Sequence, residues 1–194
     1  PNKNFGAKAG YSFYYGKQFE LGFYDMMVND LSVQPAFYLD KVMVSFPVQD
    51  TNMGIDSKLY LNMSGVGNVD SIMLDSRNMA QLTFMHKRKY FDWPVTRDND
   101  DRDAREYIWS VGWYYFFAKN YEGFVAARYM MNYDDTKGKN WTYLGNRMSV
   151  TSTIPVSKKI KWSVSGEYFR QDFVKTNSSY EKHRTDDIIT VSSL

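Results

Sequence analysis

The chain has 194 residues, a formal net charge of +2, no cysteine, 43% hydrophobic and 18% aromatic residues, and a mean hydropathy of -0.53. Balanced charge gives no electrostatic footprint for nucleic acid. The lack of cysteine excludes disulfides, thiol nucleophiles and cysteine-built metal centres, and no run of about 18 apolar residues could cross a membrane as a helix.

The first element is a strand over residues 5–16. Phe5, Ala7, Ala9, Tyr11, Phe13 and Tyr15 alternate with Lys8, Gly10 and Ser12, a period of two that puts aromatic side chains on one face and polar or small ones on the other. A long connection, Lys17 to Asn29, leads to strands over 29–39 and 41–51 joined by the short turn Leu39-Asp40-Lys41. A fourth strand over 57–64 keeps long and short connections alternating. Gly65 to Arg77 then becomes the next connection, read as a long turn, a short helix or an inward-folded plug anchored by Ile72, Met73 and Leu74.

The fifth strand spans 78–88 and is followed by a long loop, Lys89 to Ala104. The sixth, 105–118, carries the clearest stripe: Tyr107, Trp109, Val111, Trp113, Tyr115 and Phe117 against Glu106, Ser110 and Gly112. Strands over 121–133, 141–154, 159–171 and 184–194 complete a set of ten, with short turns at 118–121 and 154–158 and long loops at 134–140 and 172–184. In the ninth, Ile160, Trp162, Val164, Gly166 and Tyr168 alternate with Lys161, Ser163, Ser165 and Glu167.

Across the three clearest stripes no charged residue falls on the apolar side between the strand ends. Lys or Arg facing lipid at mid-membrane costs roughly 2–4 kcal/mol, whereas a watery lumen tolerates it. The expected fold is therefore all-β: an antiparallel up-and-down transmembrane β-barrel forming one domain over residues 1–194. An aromatic share this high suits girdles at membrane interfaces, where an apolar ring sits beside water, and Tyr11, Phe13, Tyr15, Trp109, Trp113, Tyr115, Phe117, Trp162 and Tyr168 are its expected members. Leu194 ends the sequence without a terminal aromatic residue, and Pro1 to Phe5 lacks the features of a secretory signal. The expectation is a processed chain or a fragment, short of at least one C-terminal hairpin.

The same parity puts Lys8, Arg128, Arg147 and Lys161 opposite Glu106, Glu122 and Glu167 on the lumen side. Mixed charges there either pair into a plug-like network or line a weakly selective wet pore. The run His86-Lys87-Arg88-Lys89 at the outer end of a strand could hold lipopolysaccharide phosphates or be an ordinary charged strand end. The loop Arg97-Asp98-Asn99-Asp100-Asp101-Arg102-Asp103 invites comparison with calcium loops, but Arg102 and Asp103 stand where a further oxygen ligand and a glycine belong. A solvated loop with internal ion pairs is the expectation, and no metal or cofactor is implied. His86 and His183 are the only histidines. His86, sharing a face with Leu82 and Phe84, could serve a barrel-embedded lipid hydrolase as base or simply anchor at the interface.

Tyr121-Glu122-Gly123, Gly138-Lys139-Asn140-Trp141, Ile154-Pro155 before a basic strand start, and Arg184-Thr185-Asp186-Asp187 opening the next strand give residues 107–194 a further character. This stretch resembles the C-terminal barrel of outer-membrane proteins that carry periplasmic tetratricopeptide repeats, including those similar to surface lipoprotein assembly modulators. The resemblance implies an outer-membrane location, a repeat domain ahead of the barrel and further strands after it. The expected function is a non-enzymatic pore or export and surface-assembly channel in contact with membrane lipid and lipopolysaccharide. Alternatives are a structural barrel or conduit that encloses or docks a partner protein, and a soluble β-sandwich that binds sugars through its aromatic residues.

Overall fold

The computed structural model describes residues 4–17, 25–56, 58–118, 121–157, 160–178 and 181–193. The expectations touching Pro1, Ser57, Lys119, Asn120, Lys158, residue 159 and Leu194, and part of the first and last long loops, lie outside the described residues.

Eleven strands form one antiparallel sheet: β1 (Phe5–Gly16), β2 (Met26–Leu39), β3 (Val42–Ser45), β4 (Val48–Ile55), β5 (Lys58–Met73), β6 (Asn78–Phe91), β7 (Ala104–Phe116), β8 (Phe124–Thr136), β9 (Tyr143–Pro155), β10 (Lys161–Phe173) and β11 (Thr185–Ser193). Each pairs with its neighbours in chain order, β3 and β4 sharing one place between β2 and β5. A 3-10 turn spans Asp98–Asp100.

The strand expected over 41–51 is thus longer and interrupted. Ser45 pairs with Val69, and Val48 with Val66, so the ladder resumes in unchanged register after Phe46 and Pro47. Pro47 has no N–H to donate, which opens the ladder without shifting it. The Gly65 to Arg77 reading needs correction: it is neither turn, helix nor plug but the second half of β5, paired with β3 and β4 on one side and β6 on the other. Gly65 and Gly67 look like turn residues in the sequence. In the structure they are ladder positions crowded by neighbours, with Lys87 Cγ 3.1 Å and Met85 Cγ 2.7 Å from where a Cβ would sit.

The connection moves to residues 74–77, where Asp75 builds it. Asp75 Oδ1 accepts from the backbone N–H groups of Arg77 (2.7 Å) and Asn78 (2.8 Å), and Oδ2 from Asn78 Nδ2 (2.7 Å). Connections 40–41, 74–77, 117–123 and 156–160 then lie at one end of the sheet, and 17–25, 56–57, 92–103, 137–142 and 174–184 at the other. The expected alternation of ends holds, with 56–57 a tight exception among the long connections. Asp40 (φ 52°) and Asp56 (φ 51°) adopt left-handed backbone in two of these connections, a conformation Asp tolerates better than most residues.

Pairing carries each face across the sheet. Tyr11 lies opposite Leu31, His86 opposite Tyr107, Val111 opposite Tyr129, and Tyr168 opposite Met148 and Ile189. Exposure is inverted relative to a water-soluble protein. Along β7, Ala104, Glu106, Ile108, Ser110 and Gly112 are buried while Arg105, Trp109, Val111 and Trp113 are exposed. Ser45 has the one fully buried side chain among the described residues, whereas Tyr11 is 67%, Ile189 77% and Val191 76% exposed. A sandwich would bury its apolar faces against each other. Here, from β2 to β10, the aromatic face is the barer one and the polar face the more shielded, while on the edge strands β1 and β11 both faces are largely exposed.

One stretch interrupts the aromatic face. Asn29, Asp50, Asn52, Asn62, Ser64, Asn68 and Asp70 share it through their pairings on β2, β4 and β5. They bond among themselves: Asn62 Nδ2 donates to Asn52 Oδ1 (2.8 Å), Asn52 Nδ2 to Asp50 Oδ2 (2.8 Å), and the Tyr11 hydroxyl to Asn29 Oδ1 (2.8 Å).

The Asp75 turn gives a pH prediction. The Arg77 N–H and the Asn78 amides hold the carboxyl below its ordinary range. The ordering it provides is therefore complete above the free carboxylate's pKa and is lost as pH falls through the lowered one. Amide exchange at Arg77 and Asn78 is expected to remain slow down to that point and to accelerate below it, whereas Asp75→Ala exchanges fast at every pH.

Candidate functional site: a polar face with three loops joined over its end

The polar face of β6 to β9 concentrates charge near the long-loop end. Lys89 Nζ lies 3.0 Å from Glu106 Oε2 and 3.0 Å from Asp134 Oδ2, all three side chains being less than one-fifth exposed. Asn132 Nδ2 donates to Glu106 Oε1 (2.8 Å) and to the Tyr143 hydroxyl (3.3 Å). Gly145 makes room for this contact, because a Cβ there would fall 2.1 Å from Asn132 Oδ1. One cation between two carboxylates, with a further donor on one of them, is how a low-dielectric site tolerates charge.

Farther along the same face, Arg128 Nη2 donates to Gln81 Oε1 (2.8 Å) and to the Tyr114 hydroxyl (2.7 Å). Arg147 pairs with Glu167 at 3.3 Å while its guanidinium lies 4.2 Å from the Phe169 ring centroid. Lys161 and Glu122 approach to 3.8 Å at the short-turn end, both about half exposed. Lys8 faces the same side from β1 and is exposed, opposite Gln34. The seven residues expected to face a lumen thus lie on the polar face or, for Glu122, in the turn leading to it, and ion pairing is their dominant arrangement.

Above the Lys89 group, three connections are tied together. Asn140 Nδ2 donates to Asp100 Oδ1 (2.8 Å) and Ser178 Oγ (2.9 Å), and the Ser178 N–H returns to Asn140 Oδ1 (2.9 Å). Arg102 lies 4.0 Å and Arg184 5.7 Å from the Trp141 ring centroid. Gly138 permits the approach of the 137–142 connection: its N–H donates to Asp101 O at 2.8 Å, and a Cβ would meet Asn99 O at 2.6 Å. The acidic loop is held from within, since Asp103 accepts from the Phe91 N–H (2.8 Å) and Lys137 Nζ (2.6 Å), and Asp101 accepts from the Asp103 N–H (2.9 Å). The Asp103 carboxylate holds the Lys137 ammonium above its ordinary pKa.

The run His86-Lys87-Arg88-Lys89 does not form one surface. His86 and Arg88 point to the aromatic face; Lys87, opposite Glu106, and Lys89 point to the polar face. His86 packs on Tyr107 with ring centroids 4.8 Å apart. Arg105, absent from the sequence reading, joins Arg88 directly across the ladder, and both are exposed. Of the nine expected girdle residues, Tyr11, Phe13, Tyr15, Trp109, Trp113, Tyr115, Trp162 and Tyr168 share the aromatic face, while Phe117 lies in the turn after β7. Several keep a polar tip satisfied: Trp113 Nε1 donates to Asn78 Oδ1 (3.2 Å) and the Tyr168 hydroxyl to Asp187 Oδ1 (2.6 Å).

The sequence reading missed Asn132, Asp134, Tyr143, Trp141, Arg102 and Arg184 as members of this site. Parity would have supplied two of them, since Tyr129 and Tyr133 on the aromatic face place Asn132 and Asp134 on the other. No family model matches the chain, and neither a curated protein nor a solved structure is significantly similar to it.

Lys89→Met leaves Glu106 and Asp134 facing each other without their cation, and is expected to cost about 3–5 kcal/mol. The triple change Lys89→Met, Glu106→Gln, Asp134→Asn recovers most of that, both read as unfolding midpoints of the purified protein. Gly138→Ala is expected to part the 92–103 and 137–142 connections while leaving the strands intact. Limited trypsin digestion reports it as cleavage after Arg97 and Arg102 that the parent chain resists.

Proposed function

We propose that this chain is the wall of a bacterial outer-membrane β-barrel that works, without catalysis, as a pore or as an export and surface-assembly channel. The observation that carries the reading is the inverted exposure: aromatic and aliphatic side chains bare, and Glu106, Asn132 and Asp134 shielded. Burying polar groups while exposing large apolar ones is unfavourable in water and favourable when the medium outside is hydrocarbon. In that medium an unpaired strand edge costs several kcal/mol per backbone group, so the working form has β1 and β11 paired, with each other or with further strands. The polar face becomes the lumen and the long-loop end the cell exterior.

On this reading His86, Arg88 and Arg105 meet lipopolysaccharide phosphates, with Arg105 replacing the inward Lys87 and Lys89. Two like charges directly opposite on a sheet are destabilising; Asp135, opposite Arg105 on β8, offsets part of that, and a bound phosphate would offset the rest. The resemblance of residues 107–194 to barrels that follow periplasmic tetratricopeptide repeats supports the export form and a repeat-domain partner. A second reading, a conduit that encloses or docks a partner protein, draws on the ties among Asp100, Asn140 and Ser178, which join three loops at one end.

Single-channel recording in a planar bilayer tests both. Steady openings with weak ion selectivity are the expected result, because most of the polar face's charges are ion-paired. Insertion without openings favours the partner-filled conduit. A chain that stays monodisperse without detergent and does not insert overturns the membrane reading.

A further inference from the structure

At the long-loop end a groove of about 890 Å³ separates the β4–β5 connection from the 92–103 connection. That volume lies within the roughly 300–1,000 Å³ range of small-ligand sites. Its aromatic wall is Tyr60 with Trp93, ring centroids 5.8 Å apart and nearly perpendicular, and Tyr60 also meets Phe91 edge-on at 5.7 Å. Trp93 is 64% exposed. This is not the girdle: Phe91 pairs with Leu61, which pairs with Met53 on the polar face, so the wall stands at the mouth of that face.

Tyr60 is there because of a β-bulge. Met53 pairs with Leu61 and Gly54 with Leu59, leaving Tyr60 as the extra residue. Bulges at sheet rims re-aim a side chain at a cost in pairing, and this one turns a tyrosine towards the groove. The two walls are fixed to each other: the Asp92 N–H donates to Tyr60 O (3.1 Å), and Arg102 Nη1 to the Tyr60 hydroxyl (3.3 Å).

The polar groups select the ligand's charge. Asp100 and Asp101 also line the groove but already accept from Asn140 and the Asp103 N–H. That leaves Asp56 and Asp92 as acceptors against Lys58 and Arg102 as donors, and none of these four has an ion-pair partner among the described residues. The rim as a whole carries four carboxylates against two cations, with Lys137 3.9 Å from Asp101, so it disfavours an anionic ligand. An exposed tryptophan beside a tyrosine, with free carboxylate acceptors and two cationic donors, matches a molecule with apolar C–H faces and many hydroxyls.

We propose that this groove binds a neutral oligosaccharide, stacked on Trp93 and Tyr60, with its hydroxyls donating to Asp56 and Asp92 and accepting from Lys58 and Arg102. The inference goes beyond the barrel reading and does not depend on it, since the groove is complete whether or not the sheet closes.

The test is calorimetric titration of the purified chain with maltohexaose, cellohexaose and chitohexaose, and with spermidine as a cationic probe. At least one sugar is expected to bind, with an affinity that barely changes with salt because the ligand is uncharged. Trp93→Ala should weaken it by about tenfold or more, as loss of an aromatic contact does, and Asp92→Asn should weaken it with Trp93 in place. Arg77→Ala, in the turn at the opposite end of the sheet, should leave it unchanged. Failure of all three sugars to bind, binding indifferent to Trp93→Ala, or tighter and salt-sensitive binding of spermidine would each overturn the proposal. Bilayer conductance reports separately on the barrel, so the two readings fail independently.

Discussion

The pleat of the strand governs this molecule. Successive side chains must leave the sheet on opposite sides, and cross-strand pairing passes each choice to the neighbouring strand. Once Tyr107, Trp109, Val111 and Trp113 are set on one side of β7, register commits Leu82 and Phe84 on β6 and Tyr129 and Met131 on β8 to the same side. It equally commits Glu106, Asn132 and Asp134 to the other. A slip of one residue in a strand would move its polar-face charges, such as Glu106 or Asp134, to the aromatic face, so the register is fixed by what each face can touch.

The buried ions depend on that commitment. Lys89, Glu106 and Asp134 come from three adjacent strands and meet because Lys89 pairs with Ala104 while Glu106 pairs with Asp134, which brings the three heads together on one face. The loops then inherit a fixed base. Asp103 is bound to the Phe91 N–H just above Lys89, so the acidic connection starts from a rigid point, and Gly138 and Asn140 dock against it. Shielding of the polar face therefore has two origins: alternation along the strands, and three connections joined at one end.

Much of this was legible in the sequence, for the physical reason that period two survives without tertiary knowledge. Eight of the ten expected strands, those now numbered β1, β2 and β6 to β11, lie within about three residues of their observed limits, because their alternation survives and their ends carry turn residues. The β5 segment was not legible. Gly65 and Gly67 break the hydrophobic pattern, and only the crowding from Met85 and Lys87 reveals why glycine is there. The quartet His86 to Lys89 misled in the opposite way, because four adjacent charged or polar residues suggest one patch whereas the pleat divides them between two faces. Arg102, Trp141 and Arg184 come from three separate connections, and no local pattern announces that they meet.

The sheet is consequently two unlike halves. From β6 to β10 the ladders run without a register shift, the aromatic stripe is nearly continuous, and the ion network lies beneath it. From β2 to β5 the rules loosen: the ladder opens at Phe46 and Pro47, Tyr60 is extruded by a bulge, and Asp50, Asn52, Asn62 and Asp70 stand on the aromatic face. Such residues weaken a wall in any solvent, and Asp50 is tolerable there because Asn52 and Asn62 donate to its two oxygens. Places where local rules fail without local compensation are where function is expected to have shaped a chain. The Pro47 break and the amide cluster are compensated by kept register and internal hydrogen bonds. The Tyr60 bulge is tied as well, by the Asp92 N–H to Tyr60 O and Arg102 Nη1 to the Tyr60 hydroxyl, but unlike the other two irregularities it borders an open groove, which is where the proposed sugar site falls.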